Sequence, residues 1–235
     1  MFGEYDVPLS IEQEGISLSI EKEGEVYSYN RECLEEKVKR TLLIGDGKLL
    51  INPVEPLNKP KSITPYLLVK FEKKLVVEPK ATKQIFLTFP IEIATYIATE
   101  SDSQLLDIFT LTNQKFTLYG NPRNGFICKY WKSDVYSVMP PVNVLQQGVI
   151  ELSLNNATTG WVELTQAVFN AYGMKIFYND RLVAMKASIK LRAGDIAETD
   201  FENSPLENGM AHSLEAYTAR KLLVTSTKFV MEYGL

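Results

Sequence analysis

"ISLSIEKEGEVYSYN", residues 16–30, decides the fold. Ile16, Leu18 and Ile20 alternate with polar residues, the period of two that belongs to a strand with one wet face. Lys22-Glu23-Gly24 then turns the chain, and Val26 resumes a strand that ends near Tyr29. Further on, TLLI and KLLI flank Gly45-Asp46-Gly47, which predicts a second hairpin because glycine tolerates the positive φ of a tight turn. Between the two, NRECLEEKVKR (30–40) has the composition for one or two helical turns capped by Asn30.

"NPVEPLNKPKSITP" (52–65) carries four prolines in fourteen positions. Proline donates no backbone hydrogen bond, so this piece is expected to be an extended crossing segment and not a central strand. The alternation then returns in YLLVKF, KLVVEP, QIFLTFP, IEIATYIA, LLDIFTL and KFTLYG. Short strands with turn signals every eight to twelve residues or so predict a sandwich. The pattern breaks at VMPPVNVLQQG, which places a domain boundary near residue 145. VIELSLNN, a turn at Ala157 to Gly160 and WVELTQAVF follow, with Trp161 expected in the core of an immunoglobulin-like central hairpin. MKIFYN, a turn at Asn179-Asp180 and LVAMKASIKL come next, then a loop at ENSPLENG (202–209) and a closing strand in KLLVTSTKFVMEYG. The expectation is an all-β chain of two packed β-sandwich-like domains. Residues 1–145 form the first and residues 146–235 the second, which is immunoglobulin-like.

At 235 residues, 45 % hydrophobic and 23 % charged, the chain can bury a real core. A net charge of −4 and a pI near 5.3 argue against non-specific nucleic-acid binding, which needs a basic surface. The first forty positions hold ten acidic residues against five Lys or Arg, a bias that suits a solvated hairpin face. Cys33 and Cys128 lie far apart, outside any CxxC pattern, and fit reduced thiols of a cytoplasmic protein, with one long-range disulfide as the alternative that no pattern supports. The N-terminus lacks the basic and apolar regions of a signal peptide. The most apolar stretch, 85–98, is interrupted by Pro90 and Glu92 and is too short for a bilayer span. Asn156-Ala157-Thr158 matches a glycosylation sequon, which without a secretory route reads as coincidence.

Catalytic residue sets are sparse. His212, the lone histidine, has no GxSxG elbow or cysteine signature to work with, so enzymatic function is not the leading expectation. One histidine and two scattered cysteines cannot make a usual zinc site. IGDGK (44–48) lacks the spacing and the following helix of a phosphate loop. Glu198, Asp200 and Glu202 share a strand face and are weak calcium candidates against a plain solvated face. No metal or other cofactor is expected.

In "GNPRNGFICKYWKSDVY" (120–136), Asn121 to Gly125 make a turn and Phe126 starts a strand. Alternation sends Phe126, Cys128, Tyr130 and Lys132 to one face and Ile127, Lys129 and Trp131 to the other. Trp131 and Ile127 are expected to enter the core while the Lys129 stem snorkels, and Arg123 is expected on the surface. An RNA-recognition strand would need glycine after the basic residue and an aromatic at Cys128. A core edge strand is the default. The competing reading is a ligand or partner surface of exposed aromatics and Arg123.

INPVEPLNKPKSIT, LLVKFEKKLVVEPK, LTFPIEIATYI, LYGNPRNGFICKYWKSDVY and FNAYGMKIFYND, taken in this order, resemble an archaeal family of uncharacterised proteins, domain of unknown function 432. These stretches span residues 51–180. The resemblance implies an archaeal, cytoplasmic protein and brings no catalytic residue with it. The leading expectation is a non-enzymatic binding or protein-interaction module, with homo-oligomers through edge strands as one outcome. The alternative is a protein or enzyme for a small anionic or carbohydrate ligand, using Arg123, Lys129, Tyr130 and Trp131 with Glu55 or Glu92. Convergence of these side chains on one concave pocket would favour the ligand; dispersal or burial would favour the interaction module.

Overall fold

The structure is a computed structural model and describes all residues except 46, 62, 99–102, 194 and 217–227. Strands hold 59 % of the chain, so the period-two reading stands. In chain order they are β1 (Gly3–Asp6), β2 (Leu9–Gln13), β3 (Ile16–Glu23), β4 (Val26–Cys33), β5 (Glu36–Leu42) and β6 (Lys48–Val54). Then come β7 (Tyr66–Val77), β8 (Thr82–Pro90), β9 (Glu92–Ala98), β10 (Ser103–Phe109), β11 (Phe116–Tyr119) and β12 (Phe126–Ser133). The last third adds β13 (Gln147–Asn156), β14 (Val162–Asn170), β15 (Phe177–Tyr178), β16 (Val183–Leu191), β17 (Ala197–Glu202), β18 (Ala211–His212) and β19 (Phe229–Met231). Among the described residues no helix is long and apolar enough to cross a membrane.

Four sheets pack as two pairs. The first pair faces β2-β3-β4-β5 against β1-β6-β9-β10. The β3–β4 hairpin turns after Glu23 as its sequence predicts, and Ile16, Leu18 and Ile20 are buried. In the second pair, β11-β12-β7-β14 faces a seven-stranded sheet in the order β18-β15-β16-β13-β8, with β17 paired to β16 and β19 to β17. The Thr199 hydroxyl of β17 donates to the Val168 carbonyl of β14 at 2.7 Å, stitching these two sheets together.

Several expectations need correcting. Residues 30–40 are not helical: β4 runs to Cys33, Leu34 takes a positive φ of 54°, and β5 returns from Glu36. Tyr29, Arg31 and Cys33 all point inward, so a buried arginine hides the alternation. TLLI and KLLI do not form a hairpin, because β5 pairs β4 whereas β6 pairs β1 and β9. Asp46 of that turn lies outside the described residues. Pro53 does sit in a strand, but β1 pairs only residues 48–51, so among the described residues β6 has no paired strand on that side at the proline. The strands around Ala157 to Gly160 belong to opposite sheets, β13 beside β8 and β16, β14 beside β7. They form an arch and not a hairpin, and Trp161 is 68 % exposed instead of buried. In contrast, β15 and β16 form the predicted hairpin, with the Asn179 side chain accepting the Arg181 and Leu182 amides. Of the closing strand, Phe229–Met231 is observed as β19; 221–227 lie outside the described residues.

Residue 145 does not separate sheets: β8 pairs β13 and β7 pairs β14 across it. The two sheet pairs meet instead where β8 leaves the second pair at Pro90 and β9 enters the first at Glu92, with buried Ile91 between them.

Candidate functional site

The quoted stretch 120–136 builds one end of the second sheet pair. Asn121 accepts the Arg123 and Asn124 amides on its side-chain oxygen at 2.9 and 3.1 Å, which shapes the turn between β11 and β12. Glycine is needed at 125, where a Cβ would fall 2.6 Å from the carbonyl oxygens of Tyr119 and Asn121. Arg123 is exposed, as expected. Along β12 burial does not follow the alternation, because adjacent Cys128 and Lys129 are both buried and adjacent Phe126 and Ile127 are both exposed. Cys128 is fully buried and Phe126 stacks edge-on against Phe229, whereas Ile127 is 54 % exposed. Burial pushes the Cys128 thiol up to about 12, so it is not a reactive thiolate. Trp131 is half-buried, donates its indole N–H to the Thr88 hydroxyl at 3.1 Å and packs against the main core.

Lys129 does not snorkel. Its ammonium lies 2.7 Å from Glu92 Oε1 and donates to the Lys59 carbonyl at 3.0 Å, with both charged side chains almost fully buried. Burial pulls the Lys129 ammonium below its ordinary range, opposed by the charge and hydrogen bond of Glu92. Glu92 also accepts the backbone amides of Asn58 (2.8 Å) and Lys59 (3.0 Å). Glu55 is buried as well and accepts the Ala216 amide at 3.3 Å. These three residues therefore fasten the crossing segment 55–60 and do not face a common ligand. Tyr130 and Trp131 line a shallow depression of 330 Å3 with Leu111, Lys115, Lys132 and Gln146. Arg123, Lys129, Tyr130, Trp131, Glu55 and Glu92 do not converge on one pocket.

The weak metal candidates are neutralised from within the protein. Glu198 pairs with Arg192 at 2.8 Å and Lys228 at 3.3 Å, and Asp200 pairs with Lys228 at 3.5 Å. Glu202 stands opposite Lys186 in the ladder. Among the described residues no group of three or more His, Cys, Asp or Glu could hold a metal ion. His212 is on the short β18, against the Phe177 ring and 3.6 Å from Glu215.

Two features escaped the sequence reading. The first is the outer face of β11. Leu118 stands opposite Ile127 and Phe116 opposite Lys129. Phe116 and Leu118 are 37 % and 44 % exposed, so together with Ile127 they form an uncovered apolar face. Among the described residues β11 is the edge of its sheet. The second is a buried polar chain in the first sheet pair. Arg31 Nε binds Asp107 at 2.9 Å, the Tyr29 hydroxyl donates to Asp107 at 3.2 Å, and Glu36 bridges Arg31 to Lys59. An arginine inside a period-two run was the one available signal for it.

No curated protein and no solved structure matches this chain. A family profile matches residues 1–232, and the chain therefore belongs to the family described as protein of unknown function (DUF432).

Proposed function

We propose that the protein is a non-catalytic interaction module that receives an extended segment of a partner protein along the free edge of β11. The observation that carries this reading is the apolar face of Phe116, Leu118 and Ile127 on an edge strand. Edge strands offer unpaired backbone groups to an added strand, and side chains at alternate positions supply selectivity. Exposed Lys115 and Arg123 stand at the two ends of β11, and neither has a salt bridge among the described residues. That arrangement suits an extended peptide with apolar residues at alternate positions and acidic ends. The two buried free thiols fit the reducing setting of the cytoplasm. The competing reading, a small anionic or carbohydrate ligand held by the Arg123 to Trp131 region, is weakened because Lys129 and Glu92 are bonded to each other.

The test uses a labelled peptide of alternating Val and Thr with Glu at both ends, followed by fluorescence anisotropy. Binding is expected to weaken by about tenfold or more in Leu118→Lys, a change of about 1.4 kcal/mol. No binding to the wild type, or equal binding to both, rejects the reading. Self-association in the ultracentrifuge that Leu118→Lys abolishes would make the partner a second copy of this chain and would overturn the hetero-partner assignment.

A further inference from the structure

A second cavity opens beside the Arg31 chain, on the side of the loop that leads into β11. It measures 440 Å3, within the roughly 300–1,000 Å3 of small-molecule pockets. Leu34, Pro60 and Phe109 give it apolar walls, and Arg31, Glu36 and Lys59 give it charge. Arg31 is engaged unevenly. Its inner Nε holds Asp107 at 2.9 Å, while its two terminal nitrogens reach Glu36 Oε2 only at 3.3 and 3.4 Å. The same carboxylate oxygen is 3.2 Å from Lys59 Nζ. Charge-assisted N–H···O bonds normally close to about 2.7–2.9 Å. The Glu36 side chain is 59 % exposed, so one loosely held, solvent-reachable carboxylate serves two cations at the wall of an apolar cavity. Arg31 also lies over the Phe109 ring at 5.0 Å, which sets the guanidinium against the apolar wall. The Gln114 side-chain oxygen, in the same lining, is buried without a donor among the described residues.

We propose that this cavity binds a small amphipathic carboxylate, whose carboxylate replaces that of Glu36 between Arg31 and Lys59 while its apolar part lies along Phe109, Leu34 and Pro60. Glu36 is then an internal stand-in for the ligand, swinging into solvent when displaced. The exchange keeps the local charge balance: two cations still face two carboxylates, one of them Asp107. A free inorganic anion would match the cations but leave the apolar walls wet, and an alcohol of the same length would do the opposite. The site makes no use of the β11 edge, so it stands or falls independently of the partner-strand reading.

The experiment titrates the full chain with hexanoate, 1-hexanol and inorganic phosphate, by calorimetry and by amide shifts at Leu34 and Phe109. Hexanoate is expected to bind best and to shift both amides. Glu36→Gln, which removes the internal competitor, should tighten hexanoate by about tenfold, and adding Lys59→Met to it should abolish that gain. Hexanol or phosphate binding as tightly as hexanoate overturns the proposal, as does a folded Glu36→Gln protein that gains nothing. Should the double variant fail to fold, the Glu36→Gln gain and the hexanol comparison decide between these outcomes.

Discussion

Glu92 is fully buried and receives three donors, two backbone amides of the crossing segment and the Lys129 ammonium. Removing one partner of a buried pair leaves an uncompensated charge, which commonly costs about 3–5 kcal/mol. Glu92→Gln is therefore expected to lower the free energy of unfolding by that amount in urea. The double variant Glu92→Leu/Lys129→Met should recover a large part, since the charge goes with its partner. A double variant no better than Glu92→Gln would mean that the amides of Asn58 and Lys59, and not Lys129, are what Glu92 chiefly serves. From the sequence, Lys129 and Glu92 are both visible as charges inside apolar strands. That they meet is not visible, because β9 and β12 belong to different sheet pairs. Alternation groups Ile127, Lys129 and Trp131 on one face but does not say which face meets a core. Here the crossing segment covers Lys129 and leaves Ile127 bare.

Among the elements, the β13–β14 arch shows how a side chain can hold two sheets at a fixed separation. Asn156, at the end of β13, is fully buried and donates to the carbonyls of Val77, Glu78 and Gly160 at 3.1, 3.0 and 2.9 Å. Its own oxygen accepts the Thr158 amide at 3.0 Å. The amide nitrogen that a glycan would need is thus enclosed, which gives the sequon a structural purpose. Asn156→Ala leaves the buried Val77 carbonyl unsatisfied, worth about 1–3 kcal/mol, and removes the part-buried bonds to Glu78, Gly160 and Thr158, so a loss of about 3 kcal/mol is expected in thermal or urea unfolding. A loss under about 1 kcal/mol would show that water replaces the side chain. The element readings that failed did so for related reasons. The 30–40 segment looks helical because the charged inward residue, Arg31, has its partner Asp107 some seventy positions away. The arch looks like a hairpin because a short polar turn is the same signal whether the strands it joins pair with each other or face each other.

For the whole molecule, the all-β class and most strands are legible in the period of two, whereas the strand order is not. Sheet partners such as β8 with β13 and β7 with β14 are set by long-range packing that no local window contains. This shared pairing predicts the outcome of cutting the chain. Fragments 1–145 and 146–235, each expressed alone, should lack a sharp thermal transition, because each would expose ladder edges of two sheets. Co-expression should restore it. A cooperative transition in either fragment alone would show that the boundary read from the sequence is a true domain boundary. The passage from β8 to β9 bears on motion as well. Ile91 at the crossing is fully buried, its amide donates to the Gln146 carbonyl at 3.2 Å, and its own carbonyl accepts the Thr110 hydroxyl at 3.1 Å. A connection clamped on both its donor and its acceptor has no slack to act as a hinge. Backbone 15N relaxation should then return one rotational correlation time for amides of both sheet pairs, the tumbling of a single rigid rotor.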